Sequence, residues 1–394
     1  MSRRFRADPY AVYRRLRERD PIHRSRAAAG WVLSRHADIL EVLRDERFSA
    51  DDRNFERYPE MRARAIRDGL ADPDRQETPV MLRSDPPDHT RLRGLVSKAF
   101  TPRAVEKLRP RIEAIAEELL DGLASRGAFD VIEDFAVPLP VTVIAEMLGI
   151  PTADRATFKR WSDILVGFLD PIASPGPEIL RATADELFEY VSRIAEERRA
   201  KPADDLLSAL VLAEQEGDRL SEDELHGTVA LLLAAGNETT TNLIGNGLLA
   251  LLRHPGELAR LRAAPELVDA AVEELLRYDS PVQFTARIAL EDLDFHGRPF
   301  RRGQNAILAL GAANRDPAVF EEPDRLDVGR TDNAHISFSQ GAHFCLGAQL
   351  ARLEGRIAFA ALLARFPNLR LGAGHLRWRR FTFLRGLAAL PVRT

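Results

Sequence analysis

A single cysteine, Cys345, stands in 394 residues. No disulfide can therefore form within the chain, which fits a reducing compartment. Long apolar runs are missing as well: stretches such as Val229 to Ala235 fall far short of the roughly 20 residues that cross a bilayer. The opening stretch MSRRFRADPY has arginines but no apolar segment after them, so no signal peptide is expected. Net charge is scarce too. Against 56 Lys and Arg stand 60 Asp and Glu, a formal net charge of −4, which argues against a general nucleic-acid or anionic-membrane binder. Neither fixed-period repeats nor low-complexity linkers divide the chain. What is there, 45% hydrophobic and 29% charged residues, suits a globular protein able to bury a large core. The expectation is one domain over residues 1–394, monomeric and cytoplasmic, with no membrane span and no nucleic-acid partner.

Helical spacing dominates. It covers 8–20, 37–46 and 102–127, the last expected as one helix stopped by Gly127. Two more helices, near 153–169 and 178–199, flank the proline-rich loop 171–177. Strand signals are short: the pair around an Ala/Gly turn at 21–35, the segment 281–290, and a C-terminal pair near 376–392. The fold class is mainly α, a large helical domain with small marginal sheets.

The segment 220–255 opens with Ser221 followed by Glu224, the capping-box pattern, and Pro255 stops it. A helix of about 32 residues would be about 48 Å long and would cross the molecule. Its apolar residues occupy every side near 229–235, so it belongs at the centre. Yet GNETTT (236–241) puts poor helix formers and a carboxylate, Glu238, where burial should be deepest. Two explanations stand. The threonines back-bond to the preceding turn, or the helix opens locally against a ligand with Glu238 and Thr239 as a proton-handling pair.

Three weaker constellations accompany it. Glu274 and Arg277 share a helix face in EELLRYDSP, and His89 and Arg93 share one in DPPDHTRLRG. In a strand over QFTARIAL, Gln283, Thr285 and Arg287 would point one way. Cys345 sits in FSQGAHFCLG, between Gly341 and Gly347 and ahead of an amphipathic helix whose N-terminus stabilises a thiolate. Disulfide exchange, iron–sulfur clusters and tetrahedral zinc lack ligands. A nucleophilic pair with His343 is conceivable, although the side chains would align poorly. A single thiolate ligand to haem iron needs one cysteine and no more.

Over essentially its full length the sequence resembles the cytochrome P-450 family, the soluble bacterial haem-thiolate monooxygenases. FSQGAHFCLG resembles the family's haem loop, AGNETT its oxygen-activating helix segment and EELLR its E-x-x-R, in the family's order. The resemblance implies the cytochrome P-450 fold with a long central helix over haem b, and Cys345 as iron ligand. Glu238 and Thr239 become the catalytic acid–alcohol pair. His89, Arg93, Arg287 and His343 match the propionate-binding positions, while Ala235, Gly236, Phe338 and Gly347 complete the cofactor set. Glu274, Arg277 and Arg325 (from PDRL) match a structural triad. Two departures stand out: Ser339 follows Phe338 where the family most often has glycine, and Asn237 replaces a commoner histidine.

The implied reaction inserts one oxygen atom of O2 into a C–H bond of a medium-sized, largely apolar molecule such as a polyketide, terpenoid or fatty acid. Epoxidation is a variant of it. The chain carries no reductase region, so electrons from NAD(P)H must come through a separate ferredoxin and ferredoxin reductase, docking near Lys98, Arg103, Arg352 and Arg356. Ala235, Gln283, Thr285, the 76–82 segment, Phe381, Thr382, Phe383 and Leu384 are expected to line the substrate pocket, under a lid containing 171–177. The alternatives are an H2O2-driven peroxygenase and a non-catalytic haem-binding sensor.

Overall fold

The computed structural model describes residues 3–74, 77–169, 175–213, 219–380 and 382–394. The N-terminal periodicity gives helices Tyr10–Arg19 and His36–Arg44, the first burying Tyr10, Tyr13 and Arg17 along one face. The stretch 102–127 is two helices rather than one, Pro102–Glu106 and Arg109–Asp121. Pro110 explains the break. Its fixed φ and missing N–H suit a first helical turn and disrupt an interior, so the chain restarts at Arg109. Helices Arg155–Leu169 and Pro177–Ala200 match expectation. The loop between them, 171–177, lies mostly outside the described residues, as does position 76.

The central helix is Glu222–Arg253, with both hydrogen bonds of the Ser221–Glu224 capping box in place. It packs against helices Pro138–Met147, Arg155–Leu169, Pro177–Ala200, Val268–Tyr278 and Ala348–Arg365. Leu233, Ile244, Leu248 and Leu251 are buried in the largest hydrophobic cluster, which gathers around it. The expected local opening at 236–241 is not there: the helix runs unbroken. Its polar residues are tied off instead. Thr239 Oγ1 donates to the Ala235 carbonyl at 2.8 Å, and Thr241 Oγ1 to the Ala136 carbonyl at 3.0 Å. Asn237 Nδ2 donates to Ser162 Oγ at 2.9 Å, so this residue is spent on the neighbouring helix. Among the described residues no helix is long and apolar enough to cross a membrane.

A five-stranded sheet places Ile22–Ser25, Gly30–Leu33, Asn305–Leu308, Thr285–Ala289 and Phe48–Ser49 side by side in that order. The strand expected over 281–290 starts only at Thr285, because the N–H groups of Gln283 and Phe284 go to the Phe383 carbonyl. Near the C-terminus, Arg377–Trp378 pairs with Leu387–Ala389 as a hairpin, and Pro391–Arg393 pairs with Ala128–Asp130. Arg385 leaves this hairpin and closes a clamp. Its Nε donates to Asp279 Oδ1 at 2.6 Å, its other nitrogens reach the carbonyls of Arg6 and Ala7, and Tyr10 donates to the same carboxylate at 2.7 Å.

Glu274 and Arg277 are both 0% exposed and joined by two bonds of 2.7 and 2.8 Å. Arg277 also donates to the carbonyls of Asn314, Pro323 and Arg325. The side chain of Arg325, expected in this network, points away: it is 56% exposed and bonds Glu322. The place is taken by Arg330, 12% exposed, whose Nε reaches Glu274 Oε2 at 3.1 Å, with Asn333 beside it at 3.2 Å. What PDRL contributes is a backbone carbonyl. Arg330→Ala should therefore lower unfolding free energy by about 1–3 kcal/mol, the cost of removing a charge-assisted bond from a buried carboxylate. Arg325→Ala should unfold at the same denaturant midpoint as the unaltered chain. Equal losses in both would disprove the assignment.

Candidate functional site

Cys345 lies in the loop between the 3-10 turn Gly341–His343 and the helix Ala348–Arg365. The loop is held by its own backbone, the Cys345 N–H donating to the Phe338 carbonyl at 2.9 Å. Two residues carry its sharp turns. Gly341 has φ 72° and lies so close to the Leu43 carbonyl that a Cβ would stand 2.5 Å from it. Ser339 has φ 63°, the left-handed region that glycine occupies at no cost, and its hydroxyl is buried without a partner. Arg352, one helical turn on, packs over the Phe338 ring at 4.5 Å and is locked to Glu273 by bonds of 2.7 and 2.9 Å.

The thiol is deeply enclosed yet reachable by solvent. Burial pushes it up, opposed by the Gly347 N–H and by the cations Arg93 and Arg352. His89 and His343 lie with ring centres 4.1 Å apart and planes tilted by 41°. Burial first, then Arg287, His89 and Arg93, push His343 down to about 3, so it is neutral at any physiological pH. Arg287, 7% exposed, is pushed down to about 10 by burial, and Arg93 is lowered by burial as well. His89, Arg93 and Arg287 thus gather about His343, and Arg93 also acts on Cys345, two positions on.

This cluster is one-sided in charge. Among the described residues neither Arg93 nor Arg287 makes an ion pair, and the one side-chain bond of Arg287 is to the Ala286 carbonyl at 2.8 Å. The nearby Asp85 is occupied by the Ser49 hydroxyl and, at 2.8 Å, by the Ala50 N–H. The His89 Nε2 is buried and unpartnered. One buried arginine, one half-buried arginine and an unpartnered buried imidazole nitrogen call for an anionic acceptor.

The central helix is open on one side of its middle turn. Ala235, Gly236 and Thr239 are accessible, while Asn237, Glu238, Thr240 and Thr241 are buried. A Cβ added at Gly236 or at Gly347 would meet no atom within 4 Å. A haem fits these residues: one thiol for the iron, cationic donors for two propionates, and a glycine on each side.

Glu238 turns away from that open face. Its Oε2 is paired with Arg379 Nη1 at 2.8 Å, and burial pushes the acid up to about 7 against the pull of Arg379. Thr285 and Arg287 share a strand face as expected. Gln283 does not join them. It is 3% exposed, takes the Tyr13 hydroxyl at 2.8 Å and donates to the Ser280 carbonyl at 2.7 Å, so it is a packing residue of the N-terminal helix. Thr382 and Leu384 line a crevice with Phe5, Pro9 and Tyr13, the Phe383 carbonyl holds Gln283, and Phe381 lies outside the described residues.

Two residues were missed by sequence reasoning. Arg379 has no local signal, its partner being 141 positions away. Glu354 does have one. It interrupts the apolar face made by Leu350, Leu353, Ile357 and Ala358, and burial beside Thr240 pushes it up to about 8, so it is protonated at neutral pH.

The family described as Cytochrome P450 matches residues 55–369. The polyketide biosynthesis cytochrome P450 PksS of Bacillus subtilis (strain 168) is 44% identical, across 99% of this chain and 97% of its own length. The cytochrome P450 monooxygenase PikC of Streptomyces venezuelae is 44% identical across 99% and 92%. The solved structure of PksS matches with a TM-score of 0.90, covering 100% of this chain and 98% of that one. P450BioI, solved with hexadec-9Z-enoic acid ligated acyl carrier protein, is 38% identical with a TM-score of 0.89, covering 99% of each chain.

The turn at Ser339 can be tested alone. Ser339→Gly should raise unfolding free energy by about 1 kcal/mol, the cost of a left-handed L-residue. Thermal unfolding of both proteins checks it. A lowered midpoint would mean that the side chain contributes more than the strain costs.

Proposed function

The chain belongs to the cytochrome P450 family, and from that premise we propose that it hydroxylates a C–H bond of a medium-sized, largely apolar substrate of polyketide, terpenoid or fatty-acyl origin. The observation that carries this reading is the grouping of His89, Arg93 and Arg287 about His343, two positions from Cys345, with Arg93 acting on the sulfur as well. Bound haem supplies the iron at which O2 is reduced, and the overall balance is R–H, O2, two electrons and two protons giving R–OH and water.

The chain's own residues set the conditions for that chemistry. Arg93 and Arg287 bind the propionates by charge, and His89 and His343, both lowered by burial, act as neutral donors beside them. The Gly347 N–H, Arg93 and Arg352 favour the thiolate of Cys345. Thr239 faces the open side, and its Oγ1, now donating to Ala235, becomes a relay by turning that proton outward. Glu238, adjusted to about 7, both gains and releases a proton near neutral pH.

Substrate class rests on relatives and on a pocket wall without exposed charge at Ala235, Gly236 and Thr239. PksS is named for polyketide biosynthesis, and P450BioI was solved with a fatty-acyl chain on its carrier protein. Electrons come from a ferredoxin and its reductase. Of the four cations expected at that dock, Lys98 and Arg103 are exposed. Arg352 and Arg356 are tied to Glu273 and Asp269, so the dock depends on the first two.

Two substitutions separate this function from haem binding alone. Cys345→Ser should abolish the thiolate-type spectrum of the reduced carbon monoxide complex; an unchanged spectrum would disprove the ligand. Thr239→Val, nearly equal in volume, should leave substrate binding and first reduction near normal while diverting electrons to hydrogen peroxide. The check is product formed per NADPH oxidised, with peroxide measured alongside, and an unaltered ratio would remove Thr239 from the relay. Equal turnover with peroxide in place of reductant would favour the peroxygenase reading.

A further inference from the structure

Glu238 is a buried acid whose ion-pair partner among the described residues comes from outside the central helix. Its side chain is 5% exposed, and Oε2 lies 2.8 Å from Nη1 of Arg379, itself 24% exposed. Arg379 follows Trp378 in the C-terminal hairpin, and its backbone N–H is bonded to the Gly386 carbonyl at 3.0 Å. Four residues on three elements bear on this carboxylate. Arg379 pulls it toward ionisation from the hairpin, and Asn242 does so weakly from one turn along its own helix. From the helix Arg155–Leu169, Asp163 opposes ionisation and Lys159 favours it, and those two are paired with each other at 2.8 Å. Their effects on the carboxylate are opposite in direction. Arg379 is the one cation in direct contact among the described residues.

The hairpin that delivers Arg379 also carries Thr382, Phe383 and Leu384. It is stapled to the strand that presents Thr285 and Arg287: the Phe383 carbonyl takes the Gln283 N–H at 2.7 Å, and Leu384 bridges Val282. Behind it, Arg385 is pinned by Asp279 and the N-terminal carbonyls. Arg379 is therefore not a loose surface cation that happens to find a carboxylate. Both ends of its short segment are fixed, so its guanidinium is aimed.

We propose that Arg379 is the positioning residue for Glu238: from the substrate-side hairpin it turns the carboxylate away from the open face and sets its proton affinity. This rests on the monooxygenase reading, in which Glu238 supplies protons. It adds that proton supply is governed by the hairpin and not by the central helix alone. The direction follows from charge. Burial raises the acid and the adjacent guanidinium lowers it, so removing the guanidinium must leave the proton bound to higher pH.

The test titrates the carboxyl directly in the ferric holoenzyme. The infrared band of the protonated acid is followed against pH and assigned to Glu238 by its disappearance in Glu238→Gln. In Arg379→Gln the band should persist about 1–3 pH units higher, and in Arg379→Lys it should return toward its original midpoint. The pH profile of O2 consumption should move by the same amount in Arg379→Gln while KM for substrate stays within a factor of two of the unaltered enzyme's. An unmoved infrared midpoint in Arg379→Gln, or a shift that Arg379→Lys does not reverse, would overturn the proposal. The underlying relay fails by a different observation: Glu238→Gln consuming O2 and forming product at the original rate. Because the infrared midpoint is read without turnover, the two failures are distinguishable.

Discussion

The buried pair Glu274–Arg277 is the interaction on which the site's geometry hangs. A guanidinium and a carboxylate at zero exposure are tolerable only if every remaining donor and acceptor is used. Here the surplus donors go to three carbonyls between residues 314 and 325, and the surplus acceptor capacity goes to Arg330, Asn333 and the Asp327 N–H. The segment between them has almost no regular structure and no other reason to hold one shape. Once its backbone is bound to the pair, residues 334–345 follow from a fixed start. Asn314 carries this on, donating to Ser280 and Ser337 and accepting from the Ile336 N–H. The sulfur is placed by a chain of polar contacts that begins on a helix 68 residues earlier, since Arg277 and Cys345 differ by that number.

The central helix answers the opposite problem. It must be buried along most of its length and open on one side of its middle. Small polar residues achieve both. Asn237 and Thr241 bond Ser162 and Ala136 on neighbouring elements, and Gly236 and Ala235 leave the other side bare. The sequence oddity of GNETTT is thus a division of labour around one turn, achieved without breaking the helix.

Much of this was legible beforehand. The capping box at Ser221, the proline stop, the cysteine loop and the basic residues at 89, 93, 287 and 343 are local patterns with local causes, and the structure brings those four basic residues together. The failures share a different cause. Arg325 was chosen by position, but a carbonyl serves Arg277 as well as a side chain would, and side-chain patterns say nothing about carbonyls. Gln283 was assigned by strand alternation, which lost its meaning where a neighbouring loop took over the backbone N–H groups. Arg379 lies outside any periodic pattern, because its role arises only when a hairpin folds back over a helix 141 positions away. Proline at 110 was legible and was overlooked in a long helical period.

The Arg385 clamp has a consequence in time. Its guanidinium reaches the carbonyl of Arg6, 379 positions earlier, and Asp279 is shared with Tyr10. During synthesis Arg6 and Tyr10 are therefore made long before the guanidinium that clamps them. Contacts of such separation close late, because their loop entropy is repaid only at the end. Tyr10 and Tyr13 can meet Asp279, Gln283, Phe284 and Arg315 before Arg385 is made, so the clamp closes over a helix already seated and locks it rather than recruiting it.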